Sequence, residues 1–467
     1  MKLYTLGWFF LLLSVVCGCT TQHEIRTQYG ALPMVEKPGD AYLMQFCERG
    51  ISRSGPGQEL KNSIEDYESY ILGYVEYTDQ GWEYSGGAQR KALLQRLNDD
   101  LRSQDFTDTV QVNIVFIHGW HHSSNSDDCN VNEFRAMLRR LNLDLNDVAK
   151  KVGSRARFRV NGVYVGWRGE SLTVPLLRQA TIVDRIVTSE HVAKGAVREL
   201  FADLRNLQLT DAETGTSPFP KGRVRTIVVG HSLGALIAFH SLSPGLINDL
   251  ALSKPLPSSG KAEPYVCGKA ARARSFWPNL TVLINPAFEA SRFEALNNTA
   301  TESLVCDDES PRPKLIVVAA ENDMATRTYF PILRTVRSTF ERYDATSATT
   351  ESMEREANTH TVGFVDRYLT HRLELLQIDD TDKCVNQVEA RVGASSGSVK
   401  PSRHLWVVRV SQDIVFGHDG FLYPKDGVYE PYLLNWLVSV YLDDEKNETP
   451  LAKSYRNYRC VLKPTPS

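Results

Sequence analysis

Residues 224–242, Val-Arg-Thr-Ile-Val-Val-Gly-His-Ser-Leu-Gly-Ala-Leu-Ile-Ala-Phe-His-Ser-Leu, limit what this chain can fold into more than any other stretch. A β-branched run ends in Gly230-His231-Ser232-Leu233-Gly234, and a helix of small and apolar residues follows. A serine at such a strand-to-helix turn is held in a strained backbone conformation that lifts its hydroxyl clear of the sheet. Strand and helix approach closely there only if the residues two positions either side are small. Gly230 and Gly234 fill those two positions. Out of context the pattern is often a glycine-rich turn, but the buried-type strand before it and the helix after it select the elbow. Ser232 is therefore a candidate nucleophile.

A serine hydroxyl attacks poorly at neutral pH unless a general base, an orienting acid and an oxyanion site accompany it. For the oxyanion site, Val112-Asn-Ile-Val-Phe-Ile-His-Gly-Trp120 is an apolar strand running into His118-Gly119. The candidate donors are the backbone N–H groups of Trp120 and Leu233, because a donor fixed by a tight turn needs no reorganisation as charge develops. For the acid, Pro313-Lys-Leu-Ile-Val-Val-Ala-Ala-Glu-Asn-Asp323 is a second short apolar strand with carboxylates at its carboxyl end, where ligand chemistry gathers in open α/β sheets. Glu321 and Asp323 both qualify by position, and the alternation of the strand does not choose between them.

Eleven histidines compete for the base. His418 lies in a glycine-flanked loop between the strand-like run Leu405–Val410 and an amphipathic segment, Tyr429–Tyr441. His371 reads as the end of a helical segment and His360 as the start of one. His404 precedes its strand, at the wrong end of the sheet.

The chain order Ser232, Asp323, His418 is the order used by the α/β-hydrolase fold. The chain resembles that superfamily, and more closely its bacterial and fungal esterase-like members, over roughly residues 70 to 445. The likeness rests on His118-Gly119-Trp120, Asn285-Pro286-Ala287, the elbow and Gly417-His418-Asp419-Gly420-Phe421. It implies a mostly parallel central sheet flanked by helices, favours Asp323 over Glu321, and places the oxyanion loop after the third strand of the fold. The implied chemistry is a serine hydrolase of carboxylic esters. His418 takes the proton of Ser232, Asp323 holds the imidazole, and two backbone amides bind the tetrahedral oxyanion. No cofactor is implied. An acyltransferase acting on envelope lipid or glycan, or a non-catalytic binding module, would use the same fold.

The N-terminus carries Met1-Lys2, an apolar run Leu3–Val16 too short to span a bilayer, and Val16-Cys17-Gly18-Cys19. This resembles a bacterial lipobox, which implies a signal peptide over residues 1–18, lipidation of Cys19 and, with Thr20 following, an outer-membrane lipoprotein. Six cysteines remain, and an even count in an exported chain suggests disulfides; Cys267 with Cys306 and Cys384 with Cys460 are the expected pairs. His121, His122, Asp127 and Asp128 lack the regular spacing of metal ligands and read as a loop lining the site.

A mature chain of about 450 residues fits one large domain with insertions. Residues 19–62 read as a tether, 63–460 as the hydrolase domain, and 243–275, rich in Pro, Ser and Gly, as a lid insertion. A hairpin is expected over 70–84, helices over 87–103 and 132–150, a strand over 163–167 and a long helical stretch to about 207. A net charge of −3 with no basic run excludes nucleic acid as a partner and leaves a small or amphipathic substrate. Trp120, Trp167, Phe288 and Phe421 are candidate apolar walls, with a place in the core as the alternative for each. Arg168 is read as half of a surface ion pair rather than an anion ligand.

Overall fold

The computed structural model describes residues 23–35, 60–103, 108–151, 153–169, 182–213, 222–252, 277–303, 313–377 and 404–421, with short pieces at 254, 256–257, 265–266, 386–392, 433–434 and 436–438. In chain order the elements are strands β1 (Gln28–Met34), β2 (Asn62–Tyr67) and β3 (Ile71–Glu76), helix α1 (Ala88–Arg102), β4 (Thr109–Ile117), α2 (Cys129–Lys151) and β5 (Arg157–Gly166). Helices α3 (Ile182–Lys194) and α4 (Val197–Glu213), β6 (Val224–His231) and α5 (Leu233–Ala251) follow. Next come a two-residue hairpin of β7 (Leu256–Pro257) and β8 (Tyr265–Val266), then β9 (Leu280–Ile284), α6 (Glu294–Ser303) and β10 (Leu315–Ala320). The last are α7 (Phe330–Arg337), α8 (Ala348–Thr359), β11 (His371–Gln377), β12 (Asn386–Val392) and β13 (Leu405–Val410).

Eleven strands form one sheet in the order β1-β2-β3-β5-β4-β6-β9-β10-β13-β11-β12. Only the β2–β3 and β11–β12 pairings are antiparallel. The fold is thus α/β with a mostly parallel sheet, as expected. Both faces are covered, so the central strands read as continuous apolar runs; every residue of β4 is buried. Alternate residues feed two cores. Val115, Ile117 and Val163 pack under α1, α3, α4 and α5, while Ile114, Phe116 and Tyr164 pack under α2. On α2, Phe134, Leu138, Leu141, Leu145 and Val148 form the buried stripe.

The N-terminal segment departs from the tether reading. Residues 28–34 pair in parallel with β2, and Arg26 is fully buried. The N–H groups of Ile25 and Arg26 both donate to Glu76 Oε2 at 3.0 Å, and the Arg26 carbonyl accepts from Gln89 Nε2 at 2.9 Å. The Arg26 guanidinium stands 3.8 Å from the Tyr74 ring and 3.3 Å from Glu65, which also takes Arg135 at 2.6 Å. Burial alone would raise the Glu65 pKa, but Arg135, Arg26 and the Tyr74 hydroxyl hold it down at about 2. A buried ion cluster, not an apolar stripe, fixes this edge of the sheet, and a polarity-based reading takes such a segment for linker.

The 243–275 insertion is also revised at its start. Helix α5 continues through Pro244 to Ala251 because Leu242, Leu246 and Leu250, one turn apart, are all buried. Of the rest, only fragments and the small hairpin fall within the described residues. The 70–84 hairpin reduces to β3 and a single antiparallel bridge between Tyr77 and Glu83. Strand β5 begins six residues earlier than expected. Its first half carries Arg159, ion-paired to Asp100 at 3.0 Å, and Asn161, bonded to Asn113 at 3.3 Å, so polar side chains are buried there in pairs.

Cys129, which opens α2, is disulfide-bonded. The expected pairs Cys267–Cys306 and Cys384–Cys460, like Cys19 and residues 1–18, lie outside the described residues. Among the described residues no helix is long and apolar enough to cross a membrane.

Candidate active site

Strands β4, β6, β9 and β10 run parallel and end at one rim of the sheet, where the order β5-β4-β6 reverses the direction in which the chain adds strands. Ser232 follows β6 with φ 55° and ψ −118°, a region costly for a residue with a side chain. Its surroundings fix that backbone. Its N–H donates to the Ile284 carbonyl at 3.0 Å, and its own carbonyl accepts from Ala287 at 3.2 Å and Ala235 at 3.1 Å. The two glycines have contact reasons. A Cβ on Gly230 would lie 2.6 Å from the Gly234 carbonyl oxygen, and one on Gly234 would lie 2.1 Å from that of Ile117.

Ser232 Oγ lies 2.8 Å from His418 Nε2, and His418 Nδ1 lies 2.9 Å from Asp323 Oδ2. A carboxylate accepts only, so Nδ1 carries the imidazole proton and Nε2 is left to accept from the serine hydroxyl. Asp323, fully buried, also accepts from the N–H groups of Ala325 at 2.9 Å and Thr326 at 3.3 Å, and from the Thr326 hydroxyl. Burial opposes its charge, but His418 and Thr326 together hold its pKa below the ordinary carboxylate value. Burial likewise presses on His418, and the bond and charge of Asp323 outweigh it, leaving the imidazole pKa above its ordinary value. Glu321 instead pairs with Arg372 at 3.0 Å, on the outside of the same loop.

The turn Asn285-Pro286-Ala287 ties the elbow to the histidine loop. Asn285, with φ 44°, accepts from the Ala320 N–H at 2.8 Å and donates to the carbonyls of His418 at 2.7 Å and Gly417 at 3.2 Å. His231 Nε2 donates to the same His418 carbonyl at 2.9 Å, and the Gly417 N–H donates to Asn322 Oδ1 at 2.8 Å. Burial and the neighbouring His418 push the His231 pKa down to about 3, so this ring is a neutral strut. The positioning roles of Asn285, His231, Asn322 and Thr326 are not apparent from the sequence, although the first three sit inside motifs that are and Thr326 lies three residues past one.

On the oxyanion side, a Cβ on Gly119 would stand 2.9 Å from Ser232 Cβ, so the His118-Gly119-Trp120 backbone lies against the serine. Leu233 is the first residue of α5, where N–H groups have no acceptor within the helix. His118 pins this loop. Its Nδ1 donates to the Gly119 carbonyl at 2.9 Å, its Nε2 accepts from the Trp167 N–H at 3.2 Å, and burial lowers its pKa to about 4.

Several expectations are corrected. Trp167, Phe288 and Phe421 are buried, against His118, Phe239 and His231 respectively, and cannot wall a substrate; only Trp120 keeps partial exposure. His371 opens β11 rather than ending a helix, and His360 follows the end of α8 rather than starting it. Asp128 accepts from His122 at 3.0 Å and caps α2 through the Asn130 N–H at 2.9 Å. Arg168, by contrast, is half of an ion pair as expected, with Asp79.

No protein-family model matches the chain, and comparison with curated proteins finds no relative. Among solved structures, one similar chain is phospholipase PlaB from Legionella pneumophila, in complex with thio-NAD, with 14% identity, a TM-score of 0.28, and coverage of 74% of this chain and 61% of that one. Another is an uncharacterized protein from Pseudomonas aeruginosa, with 9% identity, a TM-score of 0.21, and coverage of 82% and 58%. The chain spans about three fifths of the length of these two proteins.

Proposed function

We propose that this protein is a serine hydrolase of carboxylic esters, working through an acyl-enzyme. The observation that carries the reading is the continuous set of short contacts from Asp323 through His418 to Ser232, with the serine on a strained elbow. Ser232 Oγ attacks the ester carbonyl carbon while its proton passes to His418 Nε2, and Asp323 stabilises the imidazolium without taking the proton. The N–H groups of Trp120 and Leu233 receive the developing oxyanion. Collapse breaks the bond to the alcohol, which leaves with the proton from His418. Water then repeats the sequence on the serine ester and releases the acid.

The lipobox-like Val16-Cys17-Gly18-Cys19 supports the further reading that the mature chain begins at a lipidated Cys19 and sits on the bacterial outer membrane. Incorporation of labelled fatty acid that Cys19→Ser abolishes is the expected result, and unchanged labelling refutes it. The hydrolase reading is tested by a fluorophosphonate probe read by peptide mapping. A single adduct on Ser232, absent in Ser232→Ala and His418→Ala, is expected. An adduct that persists in His418→Ala removes that histidine as the base.

A further inference from the structure

Asp323 is followed by an exposed segment, residues 324–342, that turns into α7. Ile332 and Val336 lie one turn apart on α7, Tyr329 stands just before it at the end of a π-turn, and Phe340 follows in the turn after Arg337, so the four sit along one short exposed helix and its two ends. They are 65%, 60%, 70% and 96% exposed, and Met324, beside Asp323, is 53% exposed. Single exposed apolar residues are ordinary on soluble folds; a run of them along one short helix and its ends is not. The same segment contains Arg327, Arg334, Arg337 and Arg342 and only one acidic residue, Glu341, in a chain whose net charge is −3. Arg334 turns inward to Glu289 at 3.0 Å. Arg327, Arg337 and Arg342 make no ion pair among the described residues. Next to Arg327 a cavity of about 280 Å³ is lined by Arg372, Arg409, Glu321 and Phe364, where Arg372 is neutralised by Glu321 and Arg409 by Asp366, so the unpaired cations are those of the segment itself.

We propose that segment 324–342 is a docking surface for a lipid bilayer bearing anionic headgroups. The apolar face enters the acyl boundary while the arginines reach the headgroup phosphates, the arrangement of an interfacial amphipathic helix. Unpaired cations beside an apolar stripe match an anionic bilayer in both charge and polarity. Docking there brings the rim that holds Asp323 to the membrane. The surface stands independently of the hydrolase reading.

The test is amide hydrogen exchange on the full chain with phosphatidylcholine vesicles, with and without phosphatidylglycerol. Amides of residues 329–342 exchange at least about threefold more slowly with phosphatidylglycerol present, and the effect weakens with salt. Val336→Asp with Phe340→Ser, and separately Arg337→Glu with Arg342→Glu, abolish the protection while hydrolysis of a water-soluble short-chain ester stays within about twofold. Equal protection without phosphatidylglycerol, no protection, or vesicle-free protection that grows with protein concentration, as a second copy would produce, each overturns the proposal. Loss of wild-type ester hydrolysis refutes the hydrolase reading and leaves the exchange result standing.

Discussion

Asn285 holds the histidine loop, so Asn285→Ala separates positioning from stability. The substitution removes the acceptor of the Ala320 N–H, at a buried site, and the donor to the half-buried Gly417 and His418 carbonyls. The His418 carbonyl keeps His231 as donor at 2.9 Å, so the Ala320 N–H and the Gly417 carbonyl lose most. At about 1–3 kcal/mol for each of these two groups left unsatisfied, the loss is about 2–6 kcal/mol. Alanine at a φ of 44°, where asparagine is better tolerated, adds about 1 kcal/mol. Stability by urea denaturation should fall by about 3–7 kcal/mol in total. A displacement of His418 by about 1 Å costs roughly a hundredfold in the chemical step. The assay is the fluorophosphonate labelling rate, measured where denaturation curves show the variant folded, so lost stability does not count as lost chemistry. Asn285→Asp keeps the acceptor for Ala320 and the tolerance of positive φ, and should fold better than Ala yet still label slowly. A stability loss below about 1 kcal/mol, or a wild-type labelling rate in folded Asn285→Ala, would refute the positioning argument.

Hydrolysis should fall as pH drops through the His418 pKa, which Asp323 holds above its ordinary value of about 6.5; a rate flat to pH 4 would exclude His418 as the base. Thr326→Val removes a hydrogen bond that holds the Asp323 pKa down and should lower the rate severalfold, measured as kcat/KM at constant KM; an unchanged kcat would count against it. Burial keeps His231 near pKa 3 and His118, His240 and His371 near 4, so these four are neutral when folded and charged when unfolded between about pH 4.5 and 6. Glu133 and Glu83, whose pKa values burial raises, oppose them, so unfolding there should take up about two to three protons and stability should drop as pH falls; a flat stability curve would contradict this. Gly234→Ala places a methyl 2.1 Å from the Ile117 carbonyl oxygen, and soluble protein with wild-type labelling would show that strand and helix have room to part.

The strand ends carrying Ser232 and Asp323 were legible because a doubly covered parallel strand must be apolar along its length and its rim cannot be. The same logic explains what was hidden. The edge strand β1 is held by the buried Arg26–Glu65–Arg135 cluster, and the first half of β5 by Arg159 and Asn161. Buried charges satisfied by partners distant in sequence look like surface to any local reading. His360 and His371 were misplaced for a related reason. Whether a histidine starts or ends an element depends on the carbonyl its neighbours meet, such as the Val407 carbonyl that accepts from Thr370 at 2.9 Å. The choice of Asp323 over Glu321 is a matter of which carboxylate the loop turns inward, and the Thr326 hydroxyl makes that turn.

The contacts from Asp323 to His418 and on to Ser232 close sequence separations of 95 and 186 residues. Neighbouring segments of chain cannot make them locally, and loop closure of that length comes late in folding. The serine is therefore unarmed in the nascent chain, and its reactivity switches on only when β6, β9, β10 and β13 lie edge to edge. Probe labelling of Ser232 would then act as a folding clock, timing completion of the sheet rather than the appearance of the chain.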